Sequence, residues 1–135
     1  MGFIASIKLR TWMVAAVVFT ALSVSPASSK PRDTAGLCEH ATAGQESARR
    51  IPRKLLHAIS IAESGRWNKI RRENTAWPWT VTSGGKGRYL PTKQAAIRAV
   101  RKLKRQGVRN IDVGCMQINL KYHPKAFKSL DDAFD

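Results

Sequence analysis

Residues 52–65 read Pro-Arg-Lys-Leu-Leu-His-Ala-Ile-Ser-Ile-Ala-Glu-Ser-Gly. Apolar residues recur in it at the spacing of one helix face, at Leu55, Leu56, Ile59 and Ala62. Pro52 is tolerated in a first helical turn, and Gly65 is a natural residue just beyond a helix end. The stretch therefore predicts a helix over 53–64.

Glu63 lies at the end of the apolar stripe, because Ile59 and Leu56 precede it by one and two helical turns. We expect its carboxyl group to lie partly out of water and next to the negative end of the helix dipole, so that it keeps a proton near neutral pH. A group of this kind can protonate a leaving oxygen as a general acid. Spacing alone leaves open a second interpretation, in which Glu63 bends into solvent at the helix end.

The sequence offers no obvious acidic partner for Glu63. A glycosidase that works with two carboxylates needs a second acid across the substrate. Because that second acid is not identified, a mechanism with one carboxylate has to be weighed.

Downstream of the first helix, residues 77–90 read Trp-Pro-Trp-Thr-Val-Thr-Ser-Gly-Gly-Lys-Gly-Arg-Tyr-Leu. Strand-forming residues flank the turn residues Ser83-Gly84-Gly85, which predicts a short β-hairpin. Upstream, residues 30–50 are polar and rich in small residues, and Gln45 to Arg50 is the candidate start of a helix. The aromatic side chains of Trp77, Trp79 and Tyr89 fit either the core or the face of a sugar ring.

A second helix is predicted over 93–106, opened by Pro91-Thr92 and ended by Gly107. Its apolar stripe is Ala96, Val100 and Leu103. Its other faces carry cations, which we expect to face solvent, with a dedicated anion site as the alternative: Lys93, Arg98, Arg101, Lys102, Lys104 and Arg105. Residues 111–120, Ile-Asp-Val-Gly-Cys-Met-Gln-Ile-Asn-Leu, have an ambiguous period, and Asp112 is a candidate cap for a helical turn near Gly114.

Composition limits the possible folds and functions. The chain has 135 residues, 24 Lys+Arg and 9 Asp+Glu, a net charge of +15, and 43% hydrophobic residues. These values predict one packed domain and exclude wholesale disorder. Two cysteines exclude a multi-disulfide scaffold and a four-Cys zinc site, and no Cys/His spacing matches a metal site. There is no GxxxxGK[ST] or GxGxxG motif of a nucleotide-binding loop.

The first 29 residues have the order of a secretory signal: Lys8 and Arg10, an apolar run over 13–24, then small residues. Cleavage fits after Ala27 or Ser29, which leaves a domain at 30–135, and an uncleaved anchor is the alternative. We therefore expect a periplasmic or secreted protein that does not bind nucleic acid. Export allows a disulfide between Cys38 and Cys115, although sequence alone leaves this pairing open. The high charge implies either an anionic partner or a soluble basic surface.

Ala62-Glu63-Ser64-Gly65, followed by Gly114-Cys115-Met116-Gln117-Ile118-Asn119, resembles the soluble lytic transglycosylase family, whose members have a Glu-Ser pair at a helix end and a Gly-x-Met-Gln-Ile motif downstream. The Trp-Pro-Trp-Thr hairpin and the basic helix resemble an insertion in one branch of that family. The resemblance covers roughly residues 38–135. It implies a mainly α, lysozyme-like α+β fold with a short β-hairpin insertion. The family carries a further Ala-Tyr-Asn or Ala-Tyr-His motif, and this chain ends at Asp135 before any such motif. The resemblance thus implies that the C-terminal part of the domain, which closes the groove around Glu63, is missing.

The resemblance implies cleavage of the MurNAc–GlcNAc bond of peptidoglycan without a metal or a cofactor. Glu63 is then the catalytic residue, which protonates the glycosidic oxygen and next takes the proton of the muramoyl 6-hydroxyl, so that a 1,6-anhydro ring closes. The residues implied to bind substrate are Ser64, Met116, Gln117 and Asn119.

The partner implied by the resemblance is the glycan strand of peptidoglycan, bound by a monomer. Peripheral association with the envelope and a partner in a secretion machine are left open. Two other functions also remain open. One is a muramidase that uses water in the same fold, and the other is a non-catalytic exported basic protein that binds peptidoglycan.

Overall fold

Three helices and six short strands make up the part of the chain that this computed structural model describes, which is Gly2 and residues 34–135. The helices are α1 (Leu37–Arg49), α2 (Leu55–Ser64) and α3 (Lys93–Arg105). The strands are β1 (Gly65–Asn68), β2 (Glu73–Ala76), β3 (Thr80–Ser83), β4 (Lys86–Tyr89), β5 (Asp112–Val113) and β6 (Ile118–Asn119). The architecture is therefore α+β, as predicted.

Pro31–Asp135 forms one compact unit. Apart from Gly2, the predicted export segment over 1–29 lies outside the described residues. Within the described part of the chain, no helix has the length and apolar character that a bilayer span requires.

Helix α1 begins at Leu37, well before the start that the sequence predicts. Its inward face consists of Cys38, Thr42 and Glu46, one residue per turn. Two of these three residues are polar, so the face gives no apolar period. Burial of Thr42 is compensated because its hydroxyl donates to the carbonyl oxygen of Cys38 at 2.8 Å.

The start of α2 is held by a carboxylate from α1. Glu46 is 6% exposed and accepts hydrogen bonds from the backbone N–H groups of Lys54 (2.7 Å) and His57 (3.2 Å). Lys54 adopts a left-handed conformation (φ 65°), so the helix begins at Leu55 rather than at residue 53. Burial raises the pKa of Glu46, but the N–H groups at the helix start and the nearby His57 lower it by more, and the net shift is downward.

Helix α2 presents its faces the opposite way round from the prediction. Ser60 and Ser64 point inward and are 0% and 1% exposed, whereas Leu55 and Ile59 are 46% and 38% exposed. The small serines allow close packing, and their hydroxyls bond backbone carbonyl oxygens, as Ser60 Oγ does with His57 at 2.8 Å. A buried hydroxyl with a partner carries little penalty, so serine can replace an apolar residue at these positions.

Two antiparallel sheets follow α2. Strands β1 and β2 form one sheet, with Gly65 opposite Ala76. The other sheet has the order β4-β3-β5-β6. Its β3–β4 pair confirms the predicted hairpin, with Gly84 and Gly85 at positive φ in the turn.

The helical turn predicted near Gly114 is wrong. Asp112 lies in β5 and caps no helix, and residues 114–117 form the turn between β5 and β6. Gly114 (φ 76°) and Gln117 (φ 47°) both have positive φ there. A β-turn of this kind leaves the apolar residues on either side in short strands, which explains why the period was ambiguous.

Helix α3 covers the larger sheet, as the apolar stripe predicts. Ala96 and Val100 are fully buried, Leu103 is half-buried, and Thr92 caps the helix by accepting the N–H of Ala95 at 3.1 Å. The partners of the stripe in the core include Val81, Ile111, Val113 and Phe134. The cations are exposed from Arg98 onward, so the prediction of a solvent-facing basic surface is confirmed for them.

Residues 131–135 pack against the core near the first residue of α3. Ala133 and Phe134, in a short 3-10 turn, are 7% and 4% exposed. Lys93 binds the carboxylates of Asp131 (3.0 Å) and Asp135 (2.6 Å). The hydrogen bond to Asp135 raises the pKa of Lys93 above its usual value.

Candidate active site

Glu63 occupies the last turn of α2 with an exposed side chain. The expected partial removal from water is wrong in this structure, because the neighbouring face of α2 is itself exposed. Of the carboxylates in residues 34–135, Glu63 alone has neither a hydrogen bond nor an ion pair. The remaining ones are held by backbone N–H groups, by Asn119 or by Arg71 and Lys93. Glu63 is therefore the carboxylate that a ligand meets without first breaking a contact.

Ser64 is buried and connects the end of α2 to the loop over residues 114–117, which we call the motif loop. Its hydroxyl lies 2.8 Å from the carbonyl oxygen of Cys115 and 3.1 Å from that of Ser60. Since a hydroxyl has one proton to donate, both acceptors share it. Ser64 thereby fixes the end of the helix, and with it the neighbouring Glu63, against the motif loop.

Gly65 is required at this helix end for a reason other than the one the sequence indicates. Its backbone is extended (φ −65°, ψ 135°) and not left-handed. A side chain at Gly65 would collide with the carbonyl oxygen of Ile61. The absent side chain lets the chain pass directly from α2 into β1.

A disulfide between Cys38 and Cys115 ties the motif loop to α1. Its Cα atoms are 5.7 Å apart, and it joins residues separated by 77 positions. The sequence left the pairing of the two cysteines open, and in the structure they are bonded to each other. The loop is thus held from two sides, by a covalent bond to α1 and by the Ser64 hydroxyl of α2.

Gln117 and Gly114 shape the motif loop itself. The Gln117 side-chain amide donates to the carbonyl oxygens of Gly114 (2.9 Å) and Thr80 (3.3 Å). Its Oε1 atom is buried and has no hydrogen-bond partner. Gly114 has room for little more than hydrogen, since a Cβ there would lie 3.1 Å from the carbonyl oxygen of Ala133.

Both the nitrogen and the oxygen of the Asn119 side-chain amide form hydrogen bonds with nearby residues. Its Nδ2 donates to Asp112 (2.7 Å) and Asn110 (2.6 Å), and its Oδ1 accepts from the N–H groups of Lys121 and Tyr122. The structure therefore places Asn119 as a support of the β5–β6 pair.

Tyr89 brings the β3–β4 hairpin to the end of α2. Its hydroxyl donates to the carbonyl oxygen of Gly65 at 2.7 Å, while 45% of the residue remains exposed. Sequence suggested Tyr89 only as a ring that could face a sugar, and no local signal foretells a contact across 24 positions. This contact puts an accessible aromatic ring within two residues of Glu63.

Trp77 belongs mainly to the framework of the site. It is 8% exposed, its indole N–H donates to the carbonyl oxygen of Leu90 at 2.7 Å, and its ring forms a T-shaped pair with Trp79, with the ring centres 5.5 Å apart. Arg66, which sequence analysis overlooked, places its guanidinium 3.6 Å from the centre of the Trp77 ring. A cation over an indole face is stabilising, and it fixes Arg66 beside the end of α2.

Several hollows lie beside α2. One of about 190 Å³ has part of its wall from Leu56, Pro78, Cys115 and Met116. A larger cleft of about 830 Å³ lies beside the start of the same helix, around Arg50 and His57, and Glu63 lines neither hollow. The expected reaction requires a free carboxylate, so we assign the candidate site to the end of α2 that carries Glu63 and contacts the motif loop.

The structure thus brings Ser64, the residue after Glu63, into contact with the motif loop that contains Met116 and Gln117, whereas Asn119 lies in the β5–β6 strand pair. Within residues 34–135, no group of three His, Cys, Asp or Glu side chains is arranged to hold a metal ion. No family model matches this chain, and no curated protein or solved structure matches it either.

Proposed function

We propose that this chain is an exported, monomeric peptidoglycan lytic transglycosylase with a lysozyme-like fold, in which Glu63 acts as both acid and base. The observation that carries the proposal is the Ser64–Cys115 hydrogen bond, made by the residue that directly follows the unpaired Glu63. That bond joins the Glu-Ser end of a helix to the Gly-x-Met-Gln-Ile loop across 51 positions. The two motifs on which the family resemblance rests are therefore neighbours in space.

The proposed reaction uses one carboxyl group twice. Glu63 gives its proton to the oxygen of the MurNAc–GlcNAc bond as the bond to the anomeric carbon breaks. The resulting carboxylate takes the proton of the muramoyl 6-hydroxyl, whose oxygen attacks the anomeric carbon and closes a 1,6-anhydro ring. Atoms and protons balance without water or a second acid. The pairing of every other described carboxylate fits this one-carboxylate scheme.

Neighbouring side chains have separate tasks in the proposal. Tyr89, fixed by its bond to Gly65, offers an accessible aromatic ring to a sugar. Met116, in the wall of the smaller hollow, offers apolar contact. Ser64 acts as a positioning residue through Cys115, since its proton is already committed.

The test compares soluble fragments released from purified peptidoglycan by residues 31–135 and by two variants. Glu63→Gln removes the acid, and Glu73→Gln makes the same change at an exposed glutamate on the neighbouring strand β2. We expect anhydro-muropeptides from the parent and from Glu73→Gln, and at least about 100-fold less from Glu63→Gln.

Equal release by Glu63→Gln would refute the proposed role of this residue. Reducing-end products that disappear in Glu63→Gln would indicate a muramidase that uses water. Binding to peptidoglycan without release, in a folded sample, would identify a non-catalytic binding protein.

A further inference from the structure

The turn between β1 and β2 exposes apolar side chains among cations. Residues 66–72, the hairpin tip, read Arg-Trp-Asn-Lys-Ile-Arg-Arg and contain no acid. Ile70 is 94% exposed and Trp67 is 59% exposed. Neither side chain is explained by the core or by the reaction at Glu63.

The tip has a fixed conformation that projects Ile70 outward. The side-chain oxygen of Asn68 accepts the N–H groups of Ile70 (3.0 Å) and Arg71 (3.1 Å), and the backbone N–H of Arg72 bonds the carbonyl oxygen of Asn68 at 2.8 Å. Arg72 accepts a left-handed conformation (φ 55°) to complete the turn. Arg71 is turned back toward Glu39 and Glu73.

Lys69 and Arg72 flank Ile70 in sequence, and both are exposed. The ion pairs within residues 34–135 involve neither of them. The tip thus combines an aliphatic side chain, a tryptophan and unpaired cations within a few residues. This combination suits the membrane region where anionic headgroups meet acyl chains. Glycan strands favour flat aromatic faces, and for them Trp67 would suffice while Ile70 would add nothing.

We propose that the hairpin tip docks on an anionic phospholipid surface. Ile70 and Trp67 enter the headgroup region, while Lys69 and Arg72 contact lipid phosphates. The inference does not depend on the proposed reaction. Docking of the tip would hold the end of α2 near the membrane, because the strand that connects them, β1, has four residues and is roughly 13 Å long.

The test measures partition of residues 31–135 into vesicles of phosphatidylglycerol and phosphatidylcholine, and into vesicles of phosphatidylcholine alone. This stretch is the compact unit that contains the core and the disulfide. Two variants alter the tip, Ile70→Ser and the double variant Lys69→Gln/Arg72→Gln. The matched control, Arg98→Gln/Arg101→Gln, removes the same charge from the exposed side of α3.

We expect binding to the anionic vesicles to fall about tenfold for Ile70→Ser. For the tip double variant we expect a loss of about fivefold per cation removed, against less than about threefold for the whole control variant. Phosphatidylcholine vesicles should bind weakly. Thermal unfolding of Ile70→Ser should match the parent, since the side chain contacts almost nothing.

A tip that docks should also bring Trp67 close to lipid. Brominated lipids should quench the parent fluorescence, and Trp67→Phe should remove most of that quenching, because Trp77 is 8% exposed and Trp79 is partly buried against the core. No binding by the parent, an equal loss in the control variant, or an unchanged Ile70→Ser would overturn the proposal. Loss of peptidoglycan binding by the tip variants with vesicle binding intact would assign the tip to the glycan instead.

Discussion

The hydroxyl of Ser64 lies 2.8 Å from the carbonyl oxygen of Cys115, and this contact joins the end of α2 to the motif loop. Cys115 is in turn bonded through sulfur to Cys38 of α1. Three segments that are distant in sequence therefore converge next to Glu63. The arrangement of the site depends on these two contacts, and each of them can be tested separately.

Replacing Ser64 by alanine should weaken the protein more than the same change at Ser60. Ser64→Ala leaves the Cys115 carbonyl without its side-chain partner, which should reduce the free energy of unfolding by about 1–3 kcal/mol. Ser60 bonds only within its own helix, at His57, so Ser60→Ala should cost less. Urea denaturation of both variants measures the difference, and equal losses would argue against the Ser64–Cys115 link.

The Cys38–Cys115 bond should contribute strongly to stability, because it closes a loop of 77 positions. Chain-entropy arguments give roughly 4 kcal/mol for a loop of this size. Reduction, or the double variant Cys38→Ser/Cys115→Ser, should therefore lower the urea midpoint markedly. A midpoint that does not respond to reductant would contradict this expectation.

Two glycine substitutions should act in opposite directions. Gly65→Ala forces a side chain against the Ile61 carbonyl oxygen, and it should destabilise the protein and displace the end of α2. Gly44→Ala, in α1 with open space around it, should stabilise by about 0.5–1 kcal/mol. Thermal melts of the two variants give the comparison, and a neutral Gly65→Ala would show that the helix end tolerates a side chain.

The contribution of Glu46 should depend on pH. Its pKa is lowered on folding, so the stability it adds is present above the pKa of the unfolded chain and is lost as pH falls through the lower pKa of the folded state. Glu46→Gln should thus be less stable than the parent near neutral pH, and the gap should narrow as the solution is acidified. Urea midpoints measured along a pH series check this, and a gap that widens in acid would contradict it.

Sequence patterns predicted the elements whose burial is simple. Helix α3 has an apolar stripe against a charged exterior, and the β3–β4 hairpin has glycines at its turn. Both are present near the expected positions. Each of these elements is determined by residues within its own segment, so the sequence was enough to predict it.

The sequence-based predictions of α1 and α2 are wrong where polar side chains are buried. Thr42 and Glu46 face inward from α1 because each finds a backbone partner, and apolar periodicity cannot register such a face. The same cause reversed the faces of α2, where Ser60 and Ser64 are inside and Ile59 is outside.

At the candidate site, the sequence supplied the residue types but not their contacts. Glu63 and the motif loop were identified from their motifs. The Tyr89–Gly65 and Arg66–Trp77 contacts depend on how distant strands are placed, which a single sequence does not record.

The most direct test of the central claim is the fate of oxygen during cleavage. Peptidoglycan is digested by residues 31–135 in water enriched in the heavy oxygen isotope, and the muramoyl ends of the released fragments are weighed by mass spectrometry. Attack by the 6-hydroxyl predicts ends that are lighter by one water and carry no heavy oxygen, with Glu63→Gln inactive. Heavy oxygen in reducing muramoyl ends would show that water is the acceptor and would contradict the transglycosylase account.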